Sequence, residues 1–314
     1  MIDASVVVPT RNRAPRLRAL LASLAEQEGP AFEVIVVDNA SDDDTLAAVA
    51  EADAAPGAHV RAIHLPRPLG PAVARNRGWR SARAPFVVFT DDDVVARPGW
   101  LAALTAAHER DPGAIVQGRT IPDPREADRL AAFSRSQAAS GPGPWFQTCN
   151  IGYPRELLER LGGFDESFWE AAGEDTDLGW RAVEAGARVV YEPAAENWHA
   201  VHDLGAWRLI GSAQKWRLAV RNVARHPQLR DSLHRRLFWK PSHERLLVAA
   251  AGLALLRRAP LVTAAALAPY VVLQRTQHGS YAGTLAALPA HVALDAAELV
   301  AMLRGSAAAG TLVL

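Results

Sequence analysis

Four short strand-like segments, residues 5–8, 34–37, 59–65 and 86–89, alternate with stretches whose apolar residues recur at helical spacing. Leu17, Leu20, Leu21 and Leu24 mark a first helix. Ser41-Asp42-Asp43-Asp44 is a cap signal ahead of a second, and residues 70–82 read as a third. Strands that alternate with helices predict an α/β fold, a parallel sheet covered by helices on both faces. In such sheets ligands bind beyond the carboxyl ends of the strands. The polar clusters fall there, at residues 10–13, 38–44 and 91–93.

Beyond residue 93 the pattern loosens. Residues 98–110, 156–161 and 174–185 read as helices, with short strands near Ile115 and at 188–191. Residues 120–148 are rich in Pro, Gly and Ser and read as a mobile loop region. With 314 residues, 49% apolar and 22% charged, the chain is neither disordered nor a polytopic transporter. The single cysteine, Cys149, excludes a disulfide framework and a cysteine-based zinc site. The first residues carry no basic leader, which favours the cytoplasm. Zero net charge hides an asymmetry. Residues 1–203 hold 20 Arg against 30 Asp and Glu, whereas residues 204–314 hold 14 Lys and Arg against 4 acidic residues. That predicts two regions, 1–203 and 204–314, with different partners or with surfaces that complement each other.

Asp91-Asp92-Asp93 follows a buried strand directly. Three adjacent carboxylates repel, and a divalent cation such as Mn²⁺ or Mg²⁺ relieves that while bridging a diphosphate. The plainer alternative is a cap cluster for the next helix, although one Asp would suffice. Asp38 ends the second strand and can accept the N3–H of uracil or thymine, or be a turn Asp that caps the helix at 44–52. Arg75 can stack on a base or hold a phosphate, or simply be solvated. Glu174-Asp175 opens a helix after Gly173. Acidic first turns are ordinary, but the small residues around this one leave room for a ligand and make a general base plausible. His199 and His202 follow the strand at 188–191, where either could ligate a metal.

In order, six stretches resemble the family 2 glycosyltransferases, inverting enzymes of the GT-A fold. They are Val7-Val8-Pro9-Thr10-Arg11-Asn12-Arg13, Val36-Val37-Asp38-Asn39-Ala40-Ser41-Asp42, the segment 70–78 with Arg75-Asn76, and Phe89-Thr90-Asp91-Asp92-Asp93. Gly162-Gly163-Phe164-Asp165-Glu166 and Gly173-Glu174-Asp175-Thr176-Asp177-Leu178-Gly179-Trp180-Arg181 complete the set. The resemblance covers about residues 4–203. It implies a Rossmann-like, mostly parallel sheet with flanking helices, followed by a mainly helical C-terminal region. It implies that Pro9, Thr10, Arg13, Asp38, Arg75, Asp91 and Asp92 hold the nucleotide. Asp91, Asp93 and His199 would hold the metal, with the register between His199 and His202 left open. Asp175 would be the catalytic base and Glu174 would shape the acceptor site.

The implied reaction moves a sugar from a UDP- or dTDP-type donor to a hydroxyl on a glycan, a lipid-linked or a small-molecule acceptor. Nucleic acid is not an implied partner. Inversion needs one base and no covalent intermediate, so no glycosidase-like carboxylate pair is expected. Two rival readings remain. A haloacid-dehalogenase-like phosphatase also places Asp-x-Asp after a strand, but it needs a lysine, and only Lys215 and Lys240 exist. A catalytically silent membrane scaffold that binds nucleotide sugar would have no use for Asp175.

The back region holds apolar runs at 246–256 and 259–273, split by Arg257-Arg258. Each falls short of the ~20 residues that cross a bilayer. Arg217, Arg221 and Arg225 lie four apart, near Trp207, Trp216 and Trp239. These features predict peripheral docking on an anionic membrane, on its inner face. The alternative is that both runs are buried against the rest of the chain or in a homo-oligomer.

Overall fold

Strand β1 (Ala4–Thr10) is a valine run closed by Pro9, and β2 (Phe32–Asp38) repeats the pattern. Both are buried along nearly their whole length, as strands covered on two faces must be. The structure, a computed structural model, describes residues 2–55, 59–276 and 281–314. Helix α1 (Ala14–Ala25) links β1 to β2, and α2 (Thr45–Asp53) leads to β3 (Val60–His64). Helix α3 (Pro71–Arg80) then leads to β4 (Phe86–Thr90). These four strands are parallel, in the order β3-β2-β1-β4. Their register sets Thr10 beside Asp38 and Asp38 beside His64.

The second half of the sheet is mixed. It comprises β5 (Val94–Ala96), α4 (Trp100–Arg110), β6 (Ile115–Pro122) and, after a short strand β7 (Ser134–Arg135), β8 (Asn150–Pro154). Helices α5 (Arg155–Leu161) and α6 (Glu174–Glu184) precede β9 (Val189–His199). The full order is β3-β2-β1-β4-β8-β6-β9-β5, with β8 antiparallel to both neighbours and β5 antiparallel to β9. Alternation along the strands feeds two cores. Val6, Val8 and Val36 face Leu17, Leu20 and Trp100 on one side. Val7, Ile35 and Val37 face Trp79, Leu157 and Leu178 on the other.

The expected strands near Ile115 and at 188–191 are both longer than the pattern implied. Strand β9 carries Pro193 and two glutamates, and its pairing with β6 shifts register between Gly118 and Arg119, which blurs the alternation. His199, expected on a loop, is instead the last residue of β9 and pairs with Val94. Part of the predicted loop 120–148 is ordered as the end of β6 and a 3₁₀ segment, Pro124–Arg129.

Residues up to Ala127, with Ser136–Val201, form one compact unit. Asp128–Arg135 and His202–Leu314 form a second. In the second, β7 pairs with β10 (His202–Asp203), ahead of α7 (Gly205–Ser212), α8 (Ala219–Arg225), α9 (Pro241–Leu253), α10 (Pro260–Arg275) and α11 (Tyr281–Ala309). The two apolar runs become α9 and α10. Helix α11 was not expected, since Pro289, Asp295 and Glu298 interrupt its apolar pattern. By length and composition α11 could cross a membrane, with a mean hydropathy of 1.5. One face of it packs within the unit, while Leu285, Val300 and Leu303 on it are exposed. Ala301 and Met302 are wholly buried, and a Cβ on Gly305 would lie 2.6 Å from the Arg217 carbonyl oxygen. Asp295 and Glu298 pair with Lys240 just ahead of α9.

Candidate active site

The loops after β1 and β2 are zipped together. Asn12 N–H donates to Ser41 Oγ at 2.9 Å, and Asp42 N–H donates to Asn12 Oδ1 at 2.9 Å. Asp43 accepts the Ala14 N–H, so one loop caps the helix that leaves the other. This locks Pro9 and Thr10 at the end of β1 beside Asp38 at the end of β2. Asp38 is fully buried. Its Oδ1 accepts the Ser41 N–H at 2.9 Å, and His64 Nδ1 lies 2.8 Å from Oδ2. It therefore closes the turn and does not cap α2, whose N-cap is Asp44. His64, half-exposed at the end of β3, went unnoticed in the sequence because a strand-terminal histidine carries no pattern of its own.

The acidic triplet divides its labour. Asp92 is buried and accepts from Thr10 Oγ1 at 2.7 Å and from Arg13 Nη1 at 2.9 Å. Arg13 Nη1 also reaches Asp93 Oδ2 at 2.8 Å. Asp92, Thr10 and Arg13, all read as nucleotide ligands, are thus tied to one another as a strut between β1 and β4. Burial, helped by the neighbouring Asp93 charge and opposed by Arg13, pushes the Asp92 carboxyl up to about 6. The cap alternative fails for the triplet, since the N-cap of α4 is Gly99 and no side chain caps it.

His199 Nε2 lies 3.4 Å from Asp93 Oδ1. Its Nδ1 is 2.9 Å from the Ala200 carbonyl oxygen, which can only accept, so the proton sits on Nδ1. Nε2 is then the ring nitrogen that faces the carboxylate. A shared cation reconciles two such donors, and an imidazole whose other nitrogen is fixed by a carbonyl is the usual form of a metal-ligating histidine. Asp93 and His199 therefore fit Mn²⁺ or Mg²⁺ by donor type, whereas Asp91 Oδ1 accepts from Arg75. His202 belongs to the second unit, where it pairs with Arg135.

Arg75 is neither solvated nor open to a base. It is buried, donating from Nη1 to Glu174 Oε1 at 2.9 Å and from Nη2 to Asp91 Oδ1 at 3.0 Å. Its guanidinium lies 5.8 Å from the Phe164 ring centroid. Close packing of α3 places it there, since a Cβ on Gly78 would meet Val7 Cγ1 at 2.3 Å. Glu174 Oε2 accepts the Ala172 N–H, so both its oxygens are occupied. Asp175 is half-buried, and its Oδ1 accepts the N–H of the adjacent Thr176 at 2.8 Å. Burial first, then the Glu174 charge, pushes its carboxyl up to about 7, while Arg75 pulls the other way.

Three residues of the six stretches have supporting roles that the sequence left unassigned. Asn76 Nδ2 donates to the Phe164 carbonyl at 2.9 Å, and its Oδ1 accepts the Phe164 N–H at 2.9 Å. Arg181, paired with Asp177 at 2.7 Å, donates to the carbonyls of Leu161 and Gly163. Gly163 has φ +77°, and a Cβ there would lie 2.4 Å from Asn76 Oδ1. The adjacent Arg75-Asn76 and Gly162-Gly163 pairs were the available signal.

The family model described as Glycosyl transferase family 2 matches residues 5–162, a stretch that contains β1 through α5 and the acidic triplet. This chain belongs to glycosyl transferase family 2. A model for Glycosyl transferase family group 2 matches residues 86–276 of the same family 2 chain. The Pre-mycofactocin glycosyltransferase of Mycobacterium tuberculosis is 36% identical over 208 residues, 62% of this chain and 42% of that protein. The Validoxylamine A glucosyltransferase of Streptomyces hygroscopicus subsp. jinggangensis is 29% identical over 280 residues, 75% of this chain and 63% of that protein. The family 2 chain thus spans under two thirds of the length of either relative. The mannosyltransferase PcManGT from Pyrobaculum calidifontis, solved with GDP-Man and Mn²⁺, superposes with a TM-score of 0.61 at 26% identity. That match covers 96% of this chain and 86% of the other. S. aureus TarS 1-349, solved with UDP-GlcNAc, gives a TM-score of 0.57 at 18% identity over 99% of this chain and 93% of that one, a likeness of fold. The fold is GT-A-like.

Proposed function

We propose that the chain is an inverting, metal-dependent glycosyltransferase that moves a sugar from a UDP- or dTDP-type donor to a hydroxyl acceptor. The observation that carries this reading is Asp175, half-buried with its carboxyl pushed up to about 7, beside an Arg75 network that reaches Asp91. A carboxylate of that proton affinity is suited to take an acceptor hydroxyl's proton near neutral pH. Glu174, fixed by Arg75 and the Ala172 N–H, holds the start of α6 so that Asp175 is presented. Asp93 and His199 would hold Mn²⁺ or Mg²⁺, which when bound supplies positive charge to the donor diphosphate. Asp38, at the end of β2 in register with Thr10, would meet the N3–H of uracil or thymine there, with His64 giving way since its ring now occupies Oδ2. Relatives are named for pre-mycofactocin and for validoxylamine A, so acceptor choice varies, and a glycan, lipid-linked or small-molecule hydroxyl all fit this chemistry. Of the two lysines the phosphatase reading could use, Lys240 is taken by Asp295 and Glu298 and Lys215 lies 5.0 Å from the Trp216 ring centroid.

The test is a panel of nucleoside diphosphate sugars with Mn²⁺ or Mg²⁺, read as stabilisation of the fold. A donor at 100-fold its dissociation constant adds ~2.7 kcal/mol, a shift of several degrees in melting temperature. A UDP- or dTDP-sugar should give that shift and release its diphosphate when an acceptor is added. If none stabilises the chain, the reading is wrong. Asp93→Asn should erase the metal-dependent part of the shift, and an unchanged metal response would remove Asp93 from the metal site.

A further inference from the structure

Among the described residues, every exposed large apolar side chain except Leu46 and Trp169 lies in the second unit. The densest group is the turn between α9 and α10, where Leu253, Leu255, Leu256, Leu261 and Val262 are all exposed. Leu261 is 85% exposed, and it is the grouping with its neighbours, not the single side chain, that marks an interaction surface. Arg257 and Arg258 sit in the same turn and are exposed too. Just behind the turn the two helices are in close contact. A Cβ on Gly252 would lie 2.4 Å from Ala266 Cβ, and Thr263 Oγ1 donates to the Gly252 carbonyl at 2.7 Å. The apolar tip is therefore held out by a tight hairpin.

We propose that this α9–α10 tip docks into the interface of an anionic lipid leaflet, its leucines among the acyl chains and Arg257 and Arg258 on the headgroup phosphates. The backbone of the tip suits that medium. The N–H groups of Leu255, Leu256, Arg258 and Ala259 donate to the carbonyls of Gly252, Leu253 and Leu255 within the turn, so few amides lose water on entry. The helices have 13 and 16 residues, short of a span, which fits a shallow hairpin. Charge selects the occupant. All four acidic residues of 204–314 are already in ion pairs, Asp231 with Arg236, Glu244 with Arg235, and Asp295 and Glu298 with Lys240. The tip arginines thus lack an acidic counterpart within this region. A second copy docking tip to tip would set arginine against arginine, whereas an anionic leaflet supplies the missing charge. Docking does not depend on the transferase reading.

The test is flotation of the full chain with vesicles of phosphatidylcholine, alone or mixed with phosphatidylglycerol. The chain should float with the anionic vesicles and lose affinity as salt rises. L256E/L261E should lower the bound fraction ~10-fold or more, and R257Q/R258Q should flatten the salt dependence. Both change exposed residues, so both should melt with the parent and bind nucleotide sugar like it, which separates a failure of docking from a failure of the transferase reading. Retention in the soluble fraction at low salt, or flotation unaffected by L256E/L261E, overturns the proposal. So does a dimer that L256E/L261E dissociates in the absence of any vesicle binding, since that assigns the tip to a second copy.

Discussion

Replacing Asp175 with Asn lowers turnover by at least ~10²-fold while the nucleotide sugar still binds. The amide keeps the size and the bond from the Thr176 N–H but cannot take a proton. The neighbouring acids are poor substitutes, because Glu174 is held by Arg75 and Asp177 by Arg181. Steady-state rates beside a donor-binding isotherm make the measurement, and near-normal turnover would move the base elsewhere. The same carboxyl sets the pH profile. With its folded value pushed up to about 7, the basic form accumulates as pH rises through that value, so the parent's rate climbs there. The sign for stability is the opposite. Between the ordinary value of 3.8 and about 7 the folded chain holds a proton that the unfolded chain has released, so stability falls as pH rises across that window. Asp175→Asn escapes the loss and should melt above the parent at mildly alkaline pH, a case of stability given up for a functional group.

The parallel half of the sheet was legible because β1, β2 and β4 are short apolar runs buried on both faces, which local pattern alone records. Their ends were legible too, since Asp38 and Asp91–Asp93 break those runs abruptly. The other half was not. Strand β5 is three residues long and β9 passes a register shift, so neither leaves a period to read. The same limit hid the true state of the site. Sequence can place Arg75 on a helix, but its pairing with Glu174 spans 99 positions, and that of Thr10 with Asp92 spans 82. Those contacts decide which polar residues face a ligand and which hold others in place, and they arise only from tertiary packing. Helix α11 failed for a different reason. Its buried acids Asp295 and Glu298 look like surface residues until Lys240 is brought to them.

Arg75→Met should destabilise the fold by ~3–5 kcal/mol, the range for breaking a buried ion pair from one side. Methionine fills much of the space and can still lie against Phe164. It cannot donate to Glu174 or Asp91, and the Glu174 side chain is almost wholly buried, so its charge would be left without a cation. For a chain of this size that is a drop in melting temperature of order 10 °C. Arg75→Lys should fall between, because one ammonium restores charge but not the fork that reaches two carboxylates at once. Adding Glu174→Gln to Arg75→Met should recover part of the loss by removing the stranded charge, and that recovery distinguishes electrostatics from lost packing. The defect also has a kinetic signature. Arg75 pulls the Asp175 carboxyl downward, so its removal should move the rising limb of the rate profile to higher pH. Thermal melts of the three variants, with a pH–rate series on Arg75→Met, read both effects. A variant that melts with the parent and keeps its pH profile would show that the Arg75 network is not what holds the Asp175 carboxyl in its state.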